Sequence, residues 1–138
     1  MKSQTMTRRK PQYEFTILSE PASKANSRRL LRRGHNRKSH PVIIKSQKAL
    51  DYIKSFNLQC PTLNPLFESD VEVEMTIFYA SRRPDLDESV ILDAMQGRIY
   101  KNDRQVKSKI IRWGLSKSNP RAEIKVRPLK KPPLVEGA

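Results

Sequence analysis

The chain has 138 residues and a formal net charge of +14, from 28 Lys and Arg against 14 Asp and Glu, with a sequence pI near 10.3. That length suits one domain, and no run of about 18 apolar residues is present to form a membrane-spanning helix. So strong a positive charge favours nucleic acid as the partner over an anionic membrane surface.

Hydrophobic residues make up 36% and charged residues 30%, so the expected core is modest. Met1 to Lys10 is polar and basic with no apolar stretch behind it, which is not the pattern of a secretory signal. The single cysteine, Cys60, cannot form an internal disulfide, and with only His35 and His40 beside it makes a poor zinc site. A cytoplasmic location is the expectation.

Residues 1–11 read as a flexible basic arm. Tyr13, Phe15 and Ile17 alternate with Glu14 and Thr16, the pattern of a half-buried strand that ends at Glu20-Pro21. Residues 21–41 read as a long loop, and its Arg28, Arg29, Arg32, Arg33, Arg37 and Lys38 can embrace a DNA backbone. The bland alternative is a solvated basic loop.

Ser46 can cap a helix through Phe56, with Ala49, Leu50, Ile53 and Phe56 as its apolar stripe. After a Pro61/Pro65 loop, Val71, Val73, Met75, Ile77 and Tyr79 alternate with Glu72, Glu74, Thr76 and Phe78. This is the clearest strand in the chain. Asp85 or Asp87 can cap a second helix running to about Gln96, with Val90, Ile91, Ala94 and Met95 inward and Gly97 as its stop. Val106 to Trp113 and Ala122 to Arg127 read as strands joined in a hairpin through Gly114, Ser118, Asn119 and Pro120. The tail after Pro128, with Pro132 and Pro133, reads as extended or disordered. Residues 12–127 therefore make a small single α+β domain, one sheet covered by two helices.

Charge is unevenly spread. Residues 1–48 hold thirteen Lys and Arg against Glu14 and Glu20, whereas Glu68 to Gln105 holds nine Asp and Glu against five Lys and Arg. Within Pro84–Gln105 lie Asp85, Asp87, Glu88, Asp93 and Asp103. Carboxylates inside a cationic protein suit a hard divalent cation, which takes oxygen ligands from one or two carboxylates, water and phosphate. Asp85 and Asp87 can point the same way. Residues 98–103, if extended, are long enough to bring Asp103 back to the helix start within a subunit. The ordinary alternative has Asp87 as a helix cap, Asp85 paired with Arg83, and Asp103 in a polar turn.

Asp85-Leu86-Asp87, then Leu92-Asp93-Ala94-Met95-Gln96-Gly97, then Tyr100-Lys101-Asn102-Asp103-Arg104-Gln105-Val106 resembles the RusA-type Holliday junction resolvases. The opening loop Glu20-Pro21-Ala22-Ser23-Lys24-Ala25-Asn26-Ser27-Arg28 looks similar to that family's as well. The resemblance implies a homodimeric, Mg²⁺- or Mn²⁺-dependent endonuclease that makes paired nicks in four-way junction DNA, encoded by a bacterium or a phage. It implies Asp85, Asp87 and Asp103 as the metal-binding catalytic carboxylates, with Asp93, the counterpart of a common family acid, supporting them or forming a salt bridge. Glu88 either supports the metal site or decorates the first turn of the helix, where negative charge is favourable. Asn26, Arg28, Arg29, Arg32, Arg33, Arg82, Arg83, Lys101 and Arg104 are the candidate DNA contacts. The chain departs from the family pattern at Glu88, where an Asn is usual, and at Ser89-Val90-Ile91, where a Lys is usual. Asn102 departs too, since it stands where the family has the first acid of a dipeptide. The alternative function is a non-catalytic DNA- or RNA-binding module, in which the acids serve structure.

Overall fold

A computed structural model of the chain describes residues 12–22, 28–33, 40–130 and 134–136, with backbone alone for 28–33 and 40–45. In order come β1 (Tyr13–Leu18), β2 (Arg28–Arg33), β3 (His40–Lys45), α1 (Gln47–Gln59), β4 (Val71–Tyr79), α2 (Ser89–Met95), β5 (Val106–Leu115) and β6 (Arg121–Pro128). The arm expected over residues 1–11 lies outside the described residues.

Four strands form a mixed sheet in the order β1-β6-β4-β5. β6 runs antiparallel to both β1 and β4, while β5 runs parallel to β4. The alternation in β4 is fully expressed, with Val71, Val73, Met75, Ile77 and Tyr79 buried and the residues between them half-buried. Ile17 of β1 and Ala122, Ile124 and Val126 of β6 share that core face. Over it lie Tyr52 and Phe56 of α1 and Val90, Ile91 and Met95 of α2, in one cluster. The α+β domain of two helices on a sheet is therefore present as expected.

Three details differ from the sequence reading. The long loop expected over residues 21–41 is interrupted by β2, which pairs antiparallel with β3 from Arg28↔Lys45 to Arg33↔His40. The doubled pattern Arg28-Arg29-Leu30-Leu31-Arg32-Arg33 conceals the period-two signal of such a strand. The expected hairpin of the last two strands does not form, because β4 lies between β5 and β6. Their connection passes over the end of β4, where Ser116 N donates to Tyr79 O at 2.8 Å. In α1, Leu50 is 47% exposed, and Tyr52 takes its expected place in the core alongside Ala49 and Phe56.

The face of the sheet opposite the helices carries charge. Arg127 pairs with Glu72 and, at 3.0 Å, with Glu74, whose other oxygen meets Arg112 at 2.7 Å. Part of the acidic excess between residues 68 and 105 is thus matched by arginines from later strands. At the β1 edge, Gln59 of α1 accepts from Leu18 N at 2.6 Å and donates to Leu18 O at 3.0 Å.

Candidate active site

β4 delivers the chain to the site. Its last residue, Tyr79, is fully buried and stacks on Trp113 of β5 with ring centroids 5.8 Å apart. Trp113 Nε1 donates to Pro84 O at 3.0 Å, which holds the segment after β4 against the sheet. Asp85 and Leu86 are exposed there, and Asp87 is half-buried. The backbone N–H of Asp87 donates to the Tyr79 hydroxyl oxygen at 3.2 Å. One carboxylate oxygen of Asp87 accepts from Ser89 N at 3.0 Å and from Ser89 Oγ at 2.7 Å, ordering the first turn of α2. Asp87 therefore takes part in starting the helix, while no ion pair joins Asp85 to Arg83 among the described residues.

Two further carboxylates reach this end of the sheet. Glu20 accepts from Ala80 N at 2.8 Å across a separation of 60 residues. Glu88, at the helix N-cap, reaches Lys109 Nζ at 2.6 Å. Burial pushes the Tyr79 hydroxyl's pKa up, and the charges of Asp87, Glu20 and Glu88 push the same way, against the opposing pull of the Asp87 N–H. The sequence reading missed Glu20 and Tyr79, and no local pattern marks either.

Asp103 sits at the other end of α2. It opens a short 3-10 turn, Asp103–Gln105, and its N–H donates to Gln96 Oε1 at 2.9 Å. Asn102 caps this turn by accepting from Arg104 N at 2.8 Å. Gln105 Oε1 accepts from Lys101 N at 2.9 Å and Asn102 N at 3.0 Å. Its Nε2 donates to Phe67 O at 2.9 Å and Ser69 O at 2.8 Å. The departure at Asn102 thus has a structural task, capping the turn that displays Asp103.

Residues 98–103 do not run extended. Arg98 N and Ile99 N both donate to Met95 O, and Gly97 N donates to Tyr100 O at 2.7 Å, with Gly97 at φ +81°. Tyr100 is fully buried, and its hydroxyl donates to Leu92 O at 2.7 Å. A seven-residue helix rises about 10 Å, so Asp87 and Asp103 stand at opposite ends of it. Among the described residues no group of three or more His, Cys, Asp or Glu is arranged to hold a metal ion. Asp93 is exposed on α2, and burial first, then the charges of Asp103 and Asp93, raise the pKa of the Tyr100 hydroxyl.

Among the described residues the candidate donors at the β4 end are carboxylate oxygens, exposed at Asp85 and half-buried at Asp87, Glu88 and Glu20. That chemistry fits a hard cation bound through one or two carboxylates and its remaining waters. Arg82, Arg83, Lys101 and Arg104 are exposed close in sequence to the acids. Arg28, Arg29, Arg32 and Arg33 fall in β2, where the backbone alone is described, and Asn26, Arg37 and Lys38 lie outside the described residues. No helix among the described residues is long and apolar enough to cross a membrane.

Fold and site together define a cationic α+β domain that displays carboxylates from the turns bracketing a β-α-β crossover. The family model for endodeoxyribonuclease RusA matches residues 20–127, and the chain belongs to that family. The family is one of enzymes that cut DNA within the strand. No curated protein matches the chain.

Proposed function

We propose that the protein is a metal-dependent, structure-selective endonuclease that resolves four-way DNA junctions by paired symmetric nicks, in DNA repair and recombination. The observation that carries this reading is the Asp85–Asp87 segment. It is secured by Tyr79 at the end of β4 and Trp113 of β5, beside exposed arginines, in a chain of net charge +14.

In this reading Asp85 and Asp87 hold the cation, Mg²⁺ or Mn²⁺, and Asp103 completes the catalytic set. The cation, when bound, supplies Lewis-acid polarisation of the phosphodiester and an acidified water. The chain's own residues do the rest. Tyr79 fixes the backbone of Asp87, Gln96 accepts from the N–H of Asp103, and Asn102 with Gln105 fixes the turn that carries it. Arg82, Arg83, Lys101 and Arg104 hold phosphates on either side, and Arg28, Arg29, Arg32 and Arg33 of β2 are further candidate DNA contacts. A four-way junction has two-fold symmetry, so a C2 homodimer offers one site to each of two opposed strands.

The separation of Asp103 from Asp87 favours one competing reading, a non-catalytic nucleic-acid module. Incubation of labelled four-way junction with the protein, with and without Mn²⁺ or Mg²⁺, separates the two. Nicking at paired positions is expected, lost in Asp87→Asn and Asp103→Asn while junction binding survives. Full cleavage by both variants sinks the assignment of the aspartates. Binding without cleavage by the natural sequence under either metal selects the module.

A further inference from the structure

Glu88 and Lys109 form an ion pair whose place in the fold is not explained by helix capping. At the N-cap of α2, Glu88 makes no side-chain bond to the helix, and Asp87 supplies the carboxylate bonded to Ser89 N. The Glu88 carbonyl accepts from Ile91 N at 3.1 Å and Leu92 N at 3.0 Å, so the helix start is served by its backbone. Its carboxylate instead reaches Lys109 Nζ at 2.6 Å on an edge strand. Lys109 is in register with Val73, which places it on the sheet face that the helices cover. The lysine side chain remains 46% exposed, against 19% for Glu88. A pair this open contributes little to stability. It does keep an ammonium at the side chain of the residue that follows Asp87.

We infer that Lys109 is a phosphate-contacting residue of the site, held by Glu88 until DNA arrives. The inference rests on the reading of Asp85 and Asp87 given above. A lysine carries a compact charge on a flexible stem with three rotatable donors, so it can exchange one anionic partner for another by rotamer changes alone. A DNA phosphate approaching Asp85 and Asp87 offers that partner, and the partly exposed Glu88 carboxylate turns to water. No covalent bond is made or broken in the exchange; the hydrogen bond to Glu88 is traded for one to phosphate.

The test uses the full chain and four-way junction DNA, first without divalent metal. The measured quantity is the slope of log affinity against log salt concentration. Lys109→Met is expected to reduce that slope by about one, as loss of a single phosphate contact does. Glu88→Gln, which releases the lysine, is expected to raise the affinity. With Mn²⁺ present, Lys109→Met is expected to cleave roughly 10²-fold more slowly, with Lys109→Arg recovering part of the rate. A slope in Lys109→Met equal to that of the natural sequence overturns the inference whatever the rates. If the natural sequence cleaves nothing under either metal, the function proposed above fails, and this inference fails with it. If the natural sequence cleaves and Lys109→Met keeps both slope and rate, the inference alone fails.

Discussion

The phenol of Tyr79 and the backbone of Asp87 are joined by a 3.2 Å hydrogen bond that ties the end of the central strand to the residue opening the acidic segment. The phenol is fully buried, so its position is set by packing. A core residue thereby fixes where an exposed segment presents its carboxylates.

Tyr79→Phe keeps the ring stacked on Trp113 and removes the acceptor of the Asp87 N–H. A loss of about 1–2 kcal/mol in stability is expected, read from urea unfolding midpoints. Junction cleavage should fall further than binding, by up to about 10²-fold, because a misplaced carboxylate damages geometry without removing charge. Equal losses in binding and cleavage would show that the bond serves folding alone.

Gln105 joins four backbone groups, accepting from Lys101 N and Asn102 N and donating to Phe67 O and Ser69 O. Gln105→Ala should cost about 2 kcal/mol, less than the sum of four bonds because water replaces part of them. Gln105→Glu keeps the acceptor and loses the donors, and should fall between. Protection of the Lys101 and Asn102 amides in hydrogen exchange should drop in Gln105→Ala and persist in Gln105→Glu.

Two glycines test different physics. Gly97 has φ +81° and open space where a Cβ would stand, so Gly97→Ala meets only the backbone penalty, about 1–2 kcal/mol. At Gly114 an added Cβ would lie 2.6 Å from Phe78 Cδ1, on a ring that carries the Arg121 guanidinium 4.0 Å from its centroid. Gly114→Ala should therefore cost about 1–3 kcal/mol through displacement of that ring. In a Phe78→Ala background the Gly114→Ala penalty should shrink, while the Gly97→Ala penalty should not change.

Burial pushes the Cys60 thiol up from 9.0 to about 11, with Arg98 pulling weakly the other way. In the unfolded chain the thiol loses its proton first, so stability from this group is complete below pH 9 and declines as pH rises toward 11. Urea midpoints should fall across that window, and Cys60→Ala should flatten the fall. At the acid end the sign is opposite. Hydrogen bonds from Arg112 and Arg127 hold the Glu74 carboxyl below its usual value, so its contribution is present above about pH 4.5 and lost on further acidification.

Much of the fold was legible where one face of an element is buried. β4 announces itself because Val71, Val73, Met75, Ile77 and Tyr79 all meet the core, and the inward side of α2 is legible for the same reason. Strand order was not, because alternation reports which face a residue occupies and is silent on which neighbour it pairs with. The crossing of residues 116–120 over Tyr79 depends on such pairing. At the site, the motif names the carboxylates as candidates and carries no information on their spacing in space. The expected return of Asp103 to the helix start assumed an extended chain, whereas the turns closed on Met95 O and Tyr100 O shorten it. Glu20 was missed because a side chain bonded to a backbone amide 60 positions away leaves no local trace.

The primary amide of Gln59 imitates a peptide unit, offering Leu18 the donor and acceptor that an incoming strand would bring. One rim of the sheet is thereby closed to accretion by a neighbouring chain at that point, whereas the outer rim along β5 meets solvent with Lys107, Lys109 and Arg112 exposed. Lys109, paired with Glu88, and Arg112, paired with Glu74, are charged groups that a second rim would have to strip of water, which discourages two such rims from zipping together. A crowded solution of this protein is thus guarded on one flank by mimicry and on the other by charged side chains that resist losing their water.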